Sequence, residues 1–286
     1  MPLLSLTQLL CPIDQKELRQ DGNTWRCQNK HCFDVAKQGY VNLLPVQNKK
    51  SLDPGDSKEM IAARRDFLNS GVYQPIAIAL AKTLAGLSKE HEQLSILDAG
   101  CGEGYYLNAV CEQLLLNDVE LTATGLDISK WAVRSCKIRN PKLNGLVASN
   151  RQIPLPDHSQ DIVLCTFGFP VFEEFKRILK PGGHIVMADP GPEHLIELRS
   201  QIYETVRRNP PADISAALID DWQLSDSINV QFTTPPLSAE QFEQLLVMTP
   251  HLYRASREGR ERAAKLQNMP VSGDVLIRVI SHGYQA

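Results

Sequence analysis

Apolar positions along the chain fall into two alternating rhythms. Short runs at Leu94 to Ala99, Leu121 to Asp127, Leu143 to Ala148, Asp161 to Thr166 and His184 to Asp189 read as strands buried on both faces. Around them lie stretches of helical spacing. One spans Lys58 to Asn69, where Met60, Ile61, Phe67 and Leu68 recur near helical period and Gly71 supplies the stop. Others run from about Pro75 to Ala85, Tyr105 to Leu116, Lys130 to Arg139 and Phe172 to Leu179. This alternation predicts an α/β fold with a doubly wound, mostly parallel sheet. Val230 to Thr233 and Val275 to Ser281 are expected to complete it as edge or antiparallel strands.

The first 46 residues break the rhythm. They are turn-rich and hold Cys11, Cys27 and Cys32, three of the chain's seven cysteines, with too few apolar residues for an independent core. A metal, or docking onto the neighbouring domain, is expected to help this module fold. Gln47 to Ser57 is polar, contains Pro54 and Gly55, and reads as a connector. The expected organisation is a small Cys/His module over 1–46, a connector and helix over 47–75, and the main domain over 76–286.

Composition changes this picture in two respects. With 43% hydrophobic and 22% charged residues in 286 the chain is ordinary and globular, and its formal charge of −3 excludes coating nucleic acid by bulk attraction. Locally the balance reverses. Lys16, Arg19, Arg26, Lys30, Lys37, Lys49 and Lys50 outweigh four acidic residues within the first fifty, and His251 to Lys265 carries five basic residues against two acidic. No run reaches the 18 or so apolar residues of a membrane span, and the first ten residues lack a secretory signal's basic start and cleavage site. A cytoplasmic setting follows as the expectation, with Cys101, Cys111, Cys136 and Cys165 reduced and mostly buried.

Ile96-Leu97-Asp98-Ala99-Gly100-Cys101-Gly102-Glu103-Gly104 links a predicted strand to a predicted helix, where open α/β sheets bind ligands. A dinucleotide fingerprint starting at Gly100 would need a very small residue where Tyr105 stands, so the spacing favours adenosylmethionine over NAD. Asp127, 29 residues after Asp98, ends the second strand and can accept both ribose hydroxyls. Asn150 follows the third strand, where its amide can pair with an adenine edge. Ile153-Pro154-Leu155-Pro156-Asp157, Ser159-Gln160-Asp161 and Arg177-Ile178-Leu179-Lys180-Pro181-Gly182-Gly183 complete a series that resembles class I methyltransferases.

In the module, Cys11-x2-Asp14 and Cys27-x3-His31 have the outline of a zinc knuckle, two turns each presenting a pair of ligands to a tetrahedral ion. The spacing leaves two alternatives open: a three-cysteine arrangement through Cys32, and a degenerate knuckle with free thiols.

Over nearly its whole length the chain resembles the bacterial 23S ribosomal RNA guanine-N1 methyltransferases, including macrolide-resistance members. Besides the glycine loop, the resemblance rests on Lys37 to Gln47, Asp53-Pro54-Gly55-Asp56-Ser57, Ala63-Arg64-Arg65-Asp66-Phe67-Leu68 and Pro190-Gly191-Pro192-Glu193-His194-Leu195. It implies that Tyr73, Gly102, Glu103 and His194 contact adenosylmethionine, beside Gly100, Asp127 and Asn150 read from the motifs. It also implies that Cys11, Cys27 and His31 bind structural zinc, with Asp14 standing where the family has a cysteine. The implied partner is a 23S rRNA hairpin, and the implied assembly a homodimer. Arg19, Arg26, Lys30 and Lys37, with Arg64 and Arg65, are expected to grip the RNA. Guanine N1 carries a proton that must leave, and Asp189, Glu173 and Glu174, placed after predicted strands, are the candidate bases. A small-molecule methyltransferase and a non-catalytic RNA-binding factor retaining the fold are the rival readings.

Overall fold

The structure is a computed structural model and describes residues 3–48, 51, 53–88, 91–116, 119–208 and 210–282; Lys49 and Lys50 of the basic balance lie outside them. Four short strands, β1 (Leu9–Leu10), β2 (Glu17–Asp21), β3 (Thr24–Cys27) and β4 (Cys32–Asp34), form an antiparallel meander. The remaining strands make one eight-stranded sheet. They are β5 (Tyr40–Asn42), β6 (Gln93–Ala99), β7 (Glu120–Asp127), β8 (Asn144–Val147), β9 (Gln160–Thr166), β10 (Leu179–Pro190), β11 (Trp222–Thr233) and β12 (Ser272–His282). Their order is β11-β12-β10-β9-β6-β7-β8-β5. The strands from β10 to β5 are parallel, and β12 runs antiparallel between β10 and β11. The strand order reverses between β6 and β9, and in such sheets that switch point places the ligand crevice at the strands' carboxyl ends.

The helices are α1 (Lys58–Asn69), α2 (Gln74–Leu87), α3 (Tyr105–Leu115), α4 (Lys130–Arg139), α5 (Phe172–Ile178), α6 (Ile196–Ile202), α7 (Ala239–Met248), α8 (His251–Arg254) and α9 (Arg257–Ala263). None among the described residues is long and apolar enough to cross a membrane. The starts of α1 and α4 are set by Ser57 and Ser129, whose hydroxyls accept from the N–H groups of Met60 and Ala132. Alternation along β6 sends neighbouring side chains to opposite faces. Ile96 packs with Phe67, Tyr73, Leu80 and Phe242 under the helices, while Leu97 packs on the other face with Phe175 and Ile178 of α5.

That second face also solves the module's shortage of core. Leu9, Cys11, Leu18 and Trp25 share a cluster with Leu97, Leu126 and Ile153 of the main domain. Leu10 N–H donates to the Pro154 carbonyl at 3.0 Å, and the Gln152 amide to the Pro12 carbonyl at 3.1 Å. Tyr40 to Asn42 extend the module into the large sheet by pairing with β8, which covers an otherwise open edge.

The signature stretches after β8 and in α5 are joined by one side chain. Arg177 donates to the carbonyls of Ile153 (2.9 Å) and Leu155 (3.0 Å), and pairs with Asp157 (2.7 Å) and Glu174 (2.9 Å). The proline-rich loop is therefore braced from α5 through a planar donor fork. Arg177→Ala should lower stability by about 2–3 kcal/mol in urea denaturation, with Arg177→Lys recovering little because a point ammonium cannot span the four acceptors.

Candidate active site and metal centre

The glycine loop joins β6 to α3 at the switch point. Gly104 is left-handed (φ +83°), and a Cβ there would lie 2.6 Å from the Cys136 sulfur of α4, so only glycine lets α3 begin this close to α4. Gly102 (φ +53°) donates its N–H to Asp127 Oδ2 at 3.0 Å, and the second oxygen of that carboxylate accepts from Ser129 N–H at 2.8 Å. The acidic tip of β7 is thus oriented by the loops it borders. Asn150 spans the cleft, donating to the carbonyls of Ala99 (3.4 Å) and Phe169 (3.1 Å).

Several buried acceptors around this loop lack protein partners. Asp98 Oδ1, Glu103 Oε1, Asn150 Oδ1 and the Thr166 hydroxyl are all buried without a hydrogen bond. Orphaned polar atoms grouped at one place mark a site completed by a polar ligand. Burial and the neighbouring Asp127 carboxylate push the Asp98 carboxyl up to about 8. Burial also raises Asp127, and raises Glu103 despite its ion pair with Arg139 at 2.6 Å. A cluster of carboxylates held this way suits a cationic ligand carrying ammonium and sulfonium groups, which is what adenosylmethionine offers.

Tyr73 and His194, 121 residues apart, meet here, with the Tyr73 hydroxyl 3.2 Å from His194 Nε2. Asp274 N–H donates to His194 Nδ1 at 3.2 Å, so the neutral ring carries its proton on Nε2 and donates it to Tyr73. Burial holds His194 down to about 4 and raises Tyr73 well above the usual phenol range. Both groups therefore stay neutral near pH 7.

Several expected placements are corrected by the structure. Asp189 is not free to act as a base: its carboxylate is buried and paired with Arg278 of β12 at 2.6 Å. Glu174 accepts from Ile153 N–H at 2.8 Å and pairs with Arg177, which makes it part of the loop brace, while Glu173 is exposed at the start of α5. Arg64 does not join the module's basic face. Its guanidinium pairs with Asp56 at 2.5 Å and lies over Gly102, 3.5 Å from where a Cβ would stand. Arg65 pairs with Asp66 at 2.8 Å on the surface. Residues the sequence did not single out, Asp98, Arg139 and Thr166, border the same loop; a carboxylate inside an apolar strand is the signal that marks Asp98.

In the module, ligand atoms of Cys11, Asp14, Cys27 and His31 all lie within 4.8 Å of one another. His31 Nδ1 is 3.5 Å from Cys11 Sγ, 3.3 Å from Cys27 Sγ and 3.2 Å from Asp14 Oδ2, and Cys27 Sγ is 3.5 Å from Asp14 Oδ2. A tetrahedral zinc with bonds of about 2.0–2.3 Å spaces its ligands by roughly 3.3–3.8 Å, so the four donors fit. Asn29 donates to Asp14 Oδ2 at 2.8 Å, orienting the carboxylate as an outer partner would. Cys32 is exposed and faces the Lys30 carbonyl, which removes the three-cysteine alternative.

Comparison with known proteins agrees with both halves. Residues 9–52 match the family model of the RlmA N-terminal zinc ribbon, and residues 97–187 match a methyltransferase domain. The fold and site thus define an adenosylmethionine-dependent class I methyltransferase carrying a zinc ribbon. A Streptomyces fradiae 23S rRNA (guanine(748)-N(1))-methyltransferase is 38% identical over 66% of this chain and 66% of its own length. A putative 23S rRNA (guanine-N(1)-)-methyltransferase from Micromonospora griseorubida is 34% identical over 74% of this chain and 75% of its own. One from Bacillus subtilis, YxjB, is 28% identical over 94% and 95%. This chain belongs to the family of the 23S rRNA (guanine-N1)-methyltransferases.

Two outcomes test these assignments. Elemental analysis should find one zinc per chain; Asp14→Ala should leave it substoichiometric after chelator dialysis, and Asp14→Cys should retain it at least as well as the parent. Asp189→Asn should cost about 3–5 kcal/mol in urea denaturation by stranding the Arg278 cation, while kcat of the folded fraction stays within a few-fold.

Proposed function

We propose that this protein transfers the methyl group of adenosylmethionine to N1 of a guanine in 23S ribosomal RNA, within a hairpin of the large subunit or its precursor. The observation that carries the RNA reading is the ribbon's basic face. Arg19 and Arg26 stand directly opposite each other on β2 and β3, both exposed, and Lys30 and Lys37 are exposed in the same module. Like charges directly across a ladder destabilise it, and Glu17 offsets only Arg19, at 3.5 Å, so the pair supports a polyanionic partner. The names of the relatives support the choice of guanine N1 and of 23S rRNA. The family resemblance supports a homodimer, and a ribosomal RNA substrate supports a cytoplasmic setting.

When bound, adenosylmethionine supplies an electrophilic methyl group. Gly100 and Gly102 would admit its close approach to the backbone, Asp127 would accept from the ribose hydroxyls, Asn150 would pair with the adenine edge, and Glu103, Tyr73 and His194 would contribute further contacts. Because displacement at the methyl carbon needs little acid or base assistance, alignment supplies much of the rate. Guanine N1 must lose its proton, and of the three carboxylates considered for that task Glu173 alone is exposed.

Incubating the protein with radiolabelled adenosylmethionine and deproteinised large-subunit RNA from a strain lacking it should place label in the RNA. Primer extension should then stop at one guanine, since N1 methylation blocks pairing. Replacing Arg19 and Arg26 together by Ala should weaken RNA binding and reduce its salt slope by roughly 1–2. No label in RNA, with cofactor binding intact, would redirect the assignment to a small-molecule acceptor.

A further inference from the structure

The loop leaving β9, Phe167-Gly168-Phe169-Pro170, faces the glycine loop across the switch point and belongs to none of the assignments above. Its backbone is fixed against the cofactor loop. Gly168 leaves no room for a side chain, because a Cβ would lie 2.9 Å from the Cys165 sulfur and 3.2 Å from the Ala99 carbonyl. The Phe169 carbonyl accepts from Asn150, the same amide that reaches the Ala99 carbonyl beside Gly100. Phe167, in the left-handed region at φ 53°, turns its ring against Tyr106 (centroids 6.1 Å apart) and His194 (5.9 Å).

Phe169 does the opposite. The residue is 88% exposed, more than any other large hydrophobic residue among those described. A lone exposed apolar side chain is ordinary; this one stands on a clamped backbone at the mouth of the crevice that receives the reacting groups. Proline at position 170 further restricts its backbone to extended conformations. A rigidly presented aromatic face beside a methyl donor suits a planar, π-rich acceptor, and a guanine in a folded RNA reaches such a site only after leaving its stack.

We propose that Phe169 is the platform on which the target guanine stacks when it is drawn out of the RNA, so that it positions N1 for methyl transfer. This inference rests on the RNA reading above. Stacking on an aromatic side chain is worth about tenfold to a hundredfold per base.

The test is steady-state methylation of large-subunit RNA by Phe169→Ala, Phe169→Leu and Phe169→Tyr, alongside calorimetric binding of S-adenosylhomocysteine. The expected result is a fall of tenfold or more in kcat/KM for the Ala and Leu variants and recovery to within a few-fold by Tyr, with homocysteine-product affinity unchanged in all three. Activity of the Ala variant within twofold of the parent, rescue by Leu as complete as by Tyr, or a parallel loss of S-adenosylhomocysteine affinity would each overturn the platform. Failure of the parent enzyme itself to label RNA would overturn the RNA reading instead, and the platform with it.

Discussion

The site depends above all on how closely the start of α3 lies against α4. Gly104 approaches the sulfur of Cys136, and Gly125 the sulfurs of Cys101 and Cys136, so tightly that a Cβ at either position would fall inside contact distance. That packing brings the glycine loop within hydrogen-bonding reach of the tip of β7, where Asp127 ties together the N–H groups of Gly102 and Ser129. A side chain at Gly104 would push α3 away from α4, and the loop, the acidic tip and the cleft between them would lose their common geometry.

The same compactness creates an electrostatic problem that the chain alone does not solve. Asp98, Glu103 and Asp127 are brought around one loop, and burial disfavours charge on all three. Arg139 offsets Glu103, and Arg64, held by Asp56, lies over the loop. Asp98 has no basic partner among its described hydrogen bonds and ion pairs, and its free oxygen is sealed from solvent. A bound cation lowers the cost of ionising such a group and satisfies its lone pairs, so protein and cofactor charges complete one another. Affinity for a sulfonium ligand is therefore built into the same strain that leaves the acceptors orphaned.

Much of this was legible along the chain. The strands of the parallel sheet are continuous apolar runs because both their faces are covered, and α1 and α4 begin at capping serines that a linear reading can find. What failed to show follows from position at an edge or from distance in sequence. β11 begins at Trp222, eight residues before its apolar signal, because an exposed edge strand needs no buried run. β5 is three residues inside a stretch that reads as part of the module, and only pairing with β8 makes it a strand of the sheet. Asp189 has the address of a catalytic group, yet its partner Arg278 lies 89 residues on, so its role is visible only once β12 is inserted beside β10. Arg64 was grouped with the RNA-facing basic residues by charge, although helix phase turns it toward Asp56 and Gly102.

The module shows how a short segment with little core stays folded through two unlike supports. One is apolar: Leu9, Leu18 and Trp25 complete the face of the main sheet that α5 leaves open. The other is the Cys11, Asp14, Cys27 and His31 cluster, which ties the first turn to the β3–β4 turn. Replacing a thiolate by a carboxylate exchanges a soft ligand for a harder one and shortens one arm of the tetrahedron, while Asn29 and the Lys16 N–H fix the carboxylate that results. Cys11 and Cys27 are buried with the docked apolar side of the ribbon while Asp14 and His31 are half-buried, so the metal cluster lies at the seam between the docked side and the exposed turns. Docking on the main domain thus supplies part of the stability that a free-standing ribbon would have to draw from a stronger ligand than aspartate.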